Sequence, residues 1–417
     1  MHLTPDETAI AAGLNGPGAA MAMRIVAETG KLLGAPRLIP VASAHIDGAL
    51  YHGDSGTLFA EKLVEGGARV AVKSTLNVGA LDLMGCSRQR LPDHERDMAR
   101  RMMRAYEAMG CTPSWTCAPY QAGHRPALGS DVAWGESNAV VFSNSVLGAR
   151  PNRYGDFMDI ACAIVGRAPD YGLHKAENRR ARIVFDVTGL SLALRQSEAF
   201  YPVMGALFGR AVGSEIGVVD GLAGCASEDK LKAFGASAAS AAGVGLFHMA
   251  GVTPEAPTLA AACGNIAPEQ VIVVTPEMIG DARDRLSTTS GERIDAVAIG
   301  SPHLSLTEID ALERLIAGRK LARPIYANTG RHVLAPIEAD GRRKALEALG
   351  VMFVIDTCVV VTPILPELKD AVLMTNSGKF AHYAPGNTGY SVLYGSLAEC
   401  VESAAAGRVM RQPGVWA

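Results

Sequence analysis

The chain has 417 residues, 48% hydrophobic and 19% charged, with Lys+Arg 39 against Asp+Glu 42 and a formal net charge of −3. That length is too great for one hydrophobic core and serves two or three packed units. The balanced charge, without a basic run, excludes nucleic acid as the expected partner, and aromatic residues at 6% argue against a carbohydrate or base-stacking surface.

Thr4, Pro5 and Glu7 read as the N-cap, first position and capping-box partner of an opening helix. Met21–Lys31 is a second helix. Leu38–Ala42 is a predicted strand that opens into the loop Ser43-Ala44-His45-Ile46-Asp47-Gly48. A helix over Leu58–Gly66, a strand over Arg69–Val72 and a polar loop from Lys73 to Gly79 give the βαβ rhythm of a parallel sheet. Arg96–Met109 is a charged helix, followed by the loop CTPSWTCAPYQAG with Cys111 and Cys117. A further helix opens at Glu136-Ser137-Asn138. The turn-rich segment 167–180 marks a boundary. Beyond it, strands over 183–186, 244–249, 270–274, 296–299, 324–327, 351–355 and 371–374 are interleaved with helices over 229–242, 278–286, 305–318 and 344–349. The expected fold is α/β, several units with mostly parallel sheets around one central cleft. The expected regions are 1–170, 171–340 and 341–417, the last packed back on the first. No stretch reaches the ~18 apolar residues of a membrane span, and MHLTPDETAI is not a signal peptide. Eight cysteines without a CxxC pair then read as reduced thiols of a cytoplasmic protein.

Polar clusters recur where strands should end, at 43–47, 73–77, 301–303, 328–331, 356–358 and 375–379. Ligand sites of open α/β sheets lie at such carboxyl ends. His45, Asp47, His52 and Asp54 meet no fixed metal-ligand spacing and read as a hydrogen-bonded loop in which His45 and Asp47 orient each other. Ser43, His45, Thr75 and Asn77 are candidate substrate contacts. Glu136 joins them. Asn138 and Asn144 either cap or back-bond a helix or contact a polar ligand. Arg150 and Arg153 either clamp a carboxylate or sit on the surface. Cys358 is a structural thiol in an apolar run or a metal ligand. Asn376, Ser377 and Lys379 form a turn or an acid/base and anion site.

The strings LIPVASAHIDGALYHGD, EGGARVAVKSTLNVGALDL, TCAPYQAG, AWGESNAVVFSNSVLGARPNR, DYGLHKAENRR, LFHMAGVTPEAP, SPHLSLTEI, DTCVVVTPI and TNSGKFAHYAPG resemble the large subunit of the aconitase X family, from about Leu3 to about Glu402. The resemblance implies an aconitase-like dehydratase, with α/β units like the first three aconitase domains and a separate small swivel-domain subunit as partner. It implies an iron–sulfur cluster held by Cys117 and Cys358. A third ligand position of the family, the Cys of a GCPH motif, is Ser301 here. A hydroxyl is a harder and less acidic donor than a thiolate, so a 2Fe–2S cluster or a mononuclear iron is expected in place of a cubane with three protein thiolates. The resemblance places Ser377 and Lys379 at the acid/base centre, and Asn376 and Arg150 with the substrate contacts. The Ser variant leans towards cis-3-hydroxy-L-proline as substrate. Mevalonate 5-phosphate is the alternative, and a metal-free binding or regulatory relative is the alternative of another class.

Overall fold

The computed structural model describes residues 1–85, 91–361 and 370–416. They form two compact units: residues 1–81 with 91–180, and residues 82–85 with the chain from 181 onward. Cys86 lies outside the described residues.

The first unit opens with the helix Pro5–Ala11. Its capping box is complete: the Glu7 N–H donates to Thr4 Oγ1 at 3.3 Å, and the Thr4 N–H to Glu7 Oε2 at 2.9 Å. The next helix, Gly16–Leu32, is longer than the 21–31 pattern predicts and buries Met23, Val26 and Ala27. Five strands follow: β1 (Leu38–Pro40), β2 (Ser43–Ile46), β3 (Lys73–Leu76), β4 (Ala133–Trp134) and β5 (Arg167–Pro169). β1 pairs antiparallel with β5, and β2 lies between β3 and β4 with both pairings parallel. Two expectations are corrected here. Residues 43–46 are a fully buried central strand and not a loop. The neighbouring strand begins at Lys73, one residue beyond the predicted 69–72 stretch. Both segments are rich in Ser, Thr and His, which read as loop residues. In the fold Ser43, His45, Ser74 and Thr75 are buried on this sheet, the last three with hydrogen bonds, while Lys73 stays exposed.

The second unit holds two parallel sheets. β6 (Ile183–Asp186), β7 (Gly217–Asp220), β8 (Phe247–Met249) and β9 (Gln270–Val273) run in the order β8-β7-β6-β9. β10 (Ala296–Leu304), β11 (Ile325–Thr329), β12 (Val351–Ile355), β13 (Val372–Thr375) and β14 (Ser391–Tyr394) run in the order β12-β11-β10-β13-β14. The latter sheet draws strands from both sides of residue 340 and has β10 at its centre. Val297, Ile299, Ile325, Phe353 and Ile355 pack with Ile309, Leu312 and Ile316 of the helix Leu306–Ile316 to form its core. Every pairing is parallel, so all five carboxyl ends lie at one edge, where such sheets bind ligands.

β10 is longer than predicted and carries Gly300-Ser301-Pro302-His303 within it. Its register with β11 is regular up to Ile299↔Ala327 and shifts before Leu304↔Thr329. Gly300 has φ +89° and lies so close to the Asn328 carbonyl that a Cβ there would collide with it, so this turn of the strand requires glycine. Several helices were passed over in the sequence, and among them Arg331–Ala339 and Gly378–Thr388 each contain an internal proline, Pro336 and Pro385.

Candidate functional site

In the second unit the five-stranded sheet brings three of the sequence clusters to one edge. β10 supplies Ser301, β12 runs into Asp356-Thr357-Cys358, and β13 delivers Asn376 and Ser377 to the N-terminus of the 378–388 helix. Cross-bonds fix these segments to one another. His303 Nε2 donates to the Thr357 carbonyl at 3.0 Å. Asn328 works in both directions: its Nδ2 donates to the Ile299 carbonyl at 2.6 Å, and its Oδ1 accepts from the Val359 N–H at 2.9 Å. Asp356 has φ +64°, and its fully buried carboxylate is gripped by Arg331 through two bonds of 2.7 Å. Burial raises the pKa of Asp356, and Arg331 works against that rise.

Ser301, Asn376 and Ser377 line one cleft with Lys232, Glu308 and Gly378. Ser377 caps its helix by accepting from the Phe380 N–H at 3.0 Å, and its hydroxyl donates to the Ser301 carbonyl. Lys379, two residues on, is half-buried and near enough to His303 to disfavour its protonation. Burial is the main cause there, pressing His303 down to about 3. The sequence reading missed Lys232. It is 1% exposed, and its ammonium meets Glu308, Asp229 at 3.1 Å and the His303 carbonyl at 3.1 Å. Burial pulls its pKa down, but the two carboxylates together outweigh that and leave it raised. In the sequence, Asp229 and Lys232 look like an ordinary exposed i,i+3 pair.

The first unit carries the other predicted residues. His45 and Thr75 face each other in the β2–β3 register. His45 Nδ1 lies 2.8 Å from Thr75 Oγ1, which lies 2.7 Å from Nδ1 of His124. His124 was not singled out from the sequence. Both imidazoles are buried, and burial lowers both pKa values, that of His124 to about 4. The expected His45–Asp47 pairing is replaced: Asp47 takes a bond from Asn77 Nδ2. Asp159, also unforeseen, accepts backbone N–H bonds from Asp47 and Ile160, each at 2.6 Å. Burial raises Asp47 and Asp159, the latter to about 6, and for Asp47 the nearby Glu136, Asp156 and Asp159 add to the effect.

Glu136, with φ +62°, caps the helix Ser137–Phe142 by accepting from the Ala139 N–H at 2.7 Å. Asn138 Nδ2 donates to the Cys117 carbonyl at 2.8 Å, which ties that thiol's loop to the helix. The Asn138 Oδ1, the Ser43 hydroxyl and the Arg150 Nε are buried atoms without a hydrogen-bond partner among the described residues. Asn144 is structural: its Oδ1 accepts from buried Arg179 at 2.7 Å.

Among the described residues no group of three or more His, Cys, Asp or Glu side chains is placed to hold a metal ion. The expected donor set contains only two such residues, Cys117 and Cys358, which are 5% and 3% exposed, together with Ser301 at 4%. Cys111 is also buried, and in the absence of a metal that burial pushes its thiol up to about 12. Of the three expected donor positions two are thiols and the third, Ser301, is a hydroxyl, a harder and less acidic donor. None of the described helices is long and apolar enough to cross a membrane.

Comparison with known proteins matches residues 1–177 to the first domain of aconitase X, 181–284 to the second and 294–406 to the third. The chain is 44% identical over 412 residues to a cis-3-hydroxy-L-proline dehydratase of Pseudomonas aeruginosa, covering 98% of this chain and 70% of that one. It is 38% identical to a protein of the same name from Hypocrea jecorina, covering 98% and 69%. It is 36% identical to a phosphomevalonate dehydratase large subunit of Methanothermobacter thermautotrophicus, covering 94% and 96%. The crystal structure of Thermococcus kodakaraensis aconitase X in its holo-form superposes with a TM-score of 0.86 at 32% identity, over 97% of this chain and 100% of that one.

Proposed function

The chain belongs to the aconitase X family of dehydratases, and on that premise we propose that it dehydrates cis-3-hydroxy-L-proline to pyrroline-2-carboxylate, as the large component of an enzyme completed by a small swivel-domain subunit. The observation that carries the substrate is the 44% identity to the Pseudomonas aeruginosa dehydratase, against 36% to the archaeal phosphomevalonate subunit. The partner follows from relatives that are named large subunits.

The reaction takes a proton from C2 and the hydroxyl from C3, giving an enamine that tautomerises to the cyclic imine. Cys117 and Cys358, with Ser301 at the third position, would hold an iron–sulfur centre, 2Fe–2S or smaller, whose role is to act as Lewis acid on the departing hydroxyl. Ser377 Oγ receives the C2 proton as an alkoxide, once its own proton has passed to solvent. The hydroxyl is a weak base, and two features favour its ionised form. It sits at the positive end of the 378–388 helix, where the Phe380 N–H already points at it, and Lys379 follows in the first turn. Arg150, Asn376 and Asn138 bind the carboxylate and amine of the substrate. Ser43, His45, Thr75, Asn77 and Glu136 complete its polar surroundings.

The test is to co-produce the chain with its small subunit, load iron without oxygen, and assay cis-3-hydroxy-L-proline and mevalonate 5-phosphate side by side. Formation of pyrroline-2-carboxylate is expected. Turnover of the phosphate ester alone would overturn the substrate and leave the dehydratase class standing.

A further inference from the structure

His45, Thr75 and His124 are joined in a way that restricts where protons can sit. A threonine hydroxyl carries one proton, yet its oxygen lies within hydrogen-bond distance of two Nδ1 atoms, at 2.8 and 2.7 Å. Thr75 can donate to only one of them, so the other ring must donate to Thr75. Among the described residues the hydroxyl has no acceptor other than these two nitrogens, so its proton goes to one ring, the Nε2–H tautomer, and the other ring is the Nδ1–H tautomer. The rings are 0% and 4% exposed, and both pack on Trp134, with centroids 5.6 and 4.9 Å away. Both Nε2 atoms are buried without a partner among the described residues. Burial disfavours the imidazolium form in each ring.

We infer that His45, Thr75 and His124 form a charge-neutral proton relay, with the two Nε2 atoms as its ends. In one state His45 carries its proton on Nε2, Thr75 donates to His45 Nδ1, and His124 Nδ1 donates to Thr75. When the His45 Nε2 proton leaves, His45 takes the Thr75 proton at Nδ1, Thr75 takes the proton of His124 Nδ1, and His124 takes up a proton at Nε2. One proton has entered and one has left, and no ring has become charged. The His124 end is nearer solvent: its neighbour Lys73 is exposed and acts on it electrostatically. The His45 end serves the dehydration proposed above, delivering the proton that converts the departing hydroxyl to water. That use rests on the proposed reaction; the relay itself does not.

The relay is tested by ¹⁵N spectra of the chain labelled at histidine, with the two rings assigned through His45→Gln and His124→Gln. The expected result at pH 7 is two neutral rings of opposite tautomer, or shifts averaged between the two states. The same tautomer in both rings, or an imidazolium in either, would overturn it. Thr75→Val should uncouple the rings and Thr75→Ser restore the coupling. In the complete, iron-loaded enzyme, Thr75→Val should lower kcat by about 100-fold, and Thr75→Ser should recover most of that loss. It should also abolish the curved dependence of kcat on deuterium fraction, and Thr75→Ser should keep that curvature. A Thr75→Val enzyme within twofold of wild type would count against the relay. Should the wild-type enzyme leave cis-3-hydroxy-L-proline untouched, the substrate assignment falls, and the spectra alone decide the relay.

Discussion

The Ser377 hydroxyl is engaged on both sides, accepting from Phe380 and donating to the Ser301 carbonyl. Ser377→Ala therefore removes a helix cap, a loss of about 1 kcal/mol, and also the proposed proton acceptor. The expected outcome is a small fall in unfolding midpoint with a fall in kcat of about 100-fold or more, read by thermal unfolding and steady-state assay on the same sample. A few-fold loss of kcat would remove Ser377 from the proton chemistry. Asp159 makes a prediction in pH. Its folded pKa of about 6 lies above the 3.8 of a free aspartate. Below about pH 4 both folded and unfolded chains hold the proton. As pH rises past 4 the unfolded chain loses it first, so the folded state binds more protons and stability falls. Relative to Asp159→Asn, the wild type should lose on the order of 2–3 kcal/mol between pH 4 and 6.5 and level off above. Denaturant unfolding of both proteins across that range gives the answer, and a flat difference would show that Asp159 is ionised throughout.

At the scale of elements, the approach of the 378–388 helix to the helix Glu228–Ala241 sets where Ser377 sits. A Cβ at Gly378 would collide with the Ser237 hydroxyl and come within 3.0 Å of the Ser237 Cβ and 3.3 Å of the Pro202 carbonyl. Gly378→Ala should push the helix start outward, lowering both stability and kcat. Adding Ser237→Gly should recover part of each, because it removes the nearer of the two obstacles. Equal losses in the single and double variants would refute this packing argument. Most parallel strands were legible in the sequence, because buried runs such as Val351–Ile355 and Ile183–Asp186 are apolar and flanked by turn residues. β2 and β3 were not legible as strands. Their buried side chains include Ser43, His45, Ser74 and Thr75, and only the long-range β2–β3 pairing and its cross-bonds make such a strand favourable. Pro336 and Pro385 hid two helices in the same way. The Cys358 and Ser377 clusters were legible as strand ends, whereas Ser301, expected at one, lies inside β10. Lys232, His124 and Asp159 were not, because what distinguishes them is burial among partners 49 to 112 residues away, a property no local pattern carries.

At the scale of the whole molecule, the three family matches span residues 1–177, 181–284 and 294–406, and the proposed enzyme needs a second chain. Purified alone, the 417-residue chain should dehydrate cis-3-hydroxy-L-proline at no more than a few per cent of the rate of the complex, because an uncovered site leaves water among the reacting groups. Titrating the small subunit into the large one should raise the rate to a plateau at a fixed stoichiometry. Full turnover by the large chain alone would sink the two-chain proposal.

The bond from Ser377 to residue 301 ends on a main-chain carbonyl. A contact of that kind takes no notice of which side chain its acceptor residue bears. Position 301 is thus free to exchange one donor atom for another without disturbing the hydroxyl that depends on it. In the proposed reaction, leaving-group activation and proton removal can then be retuned separately. In Ser301→Cys the metal's spectrum should change while the pH dependence of proton abstraction stays where it was.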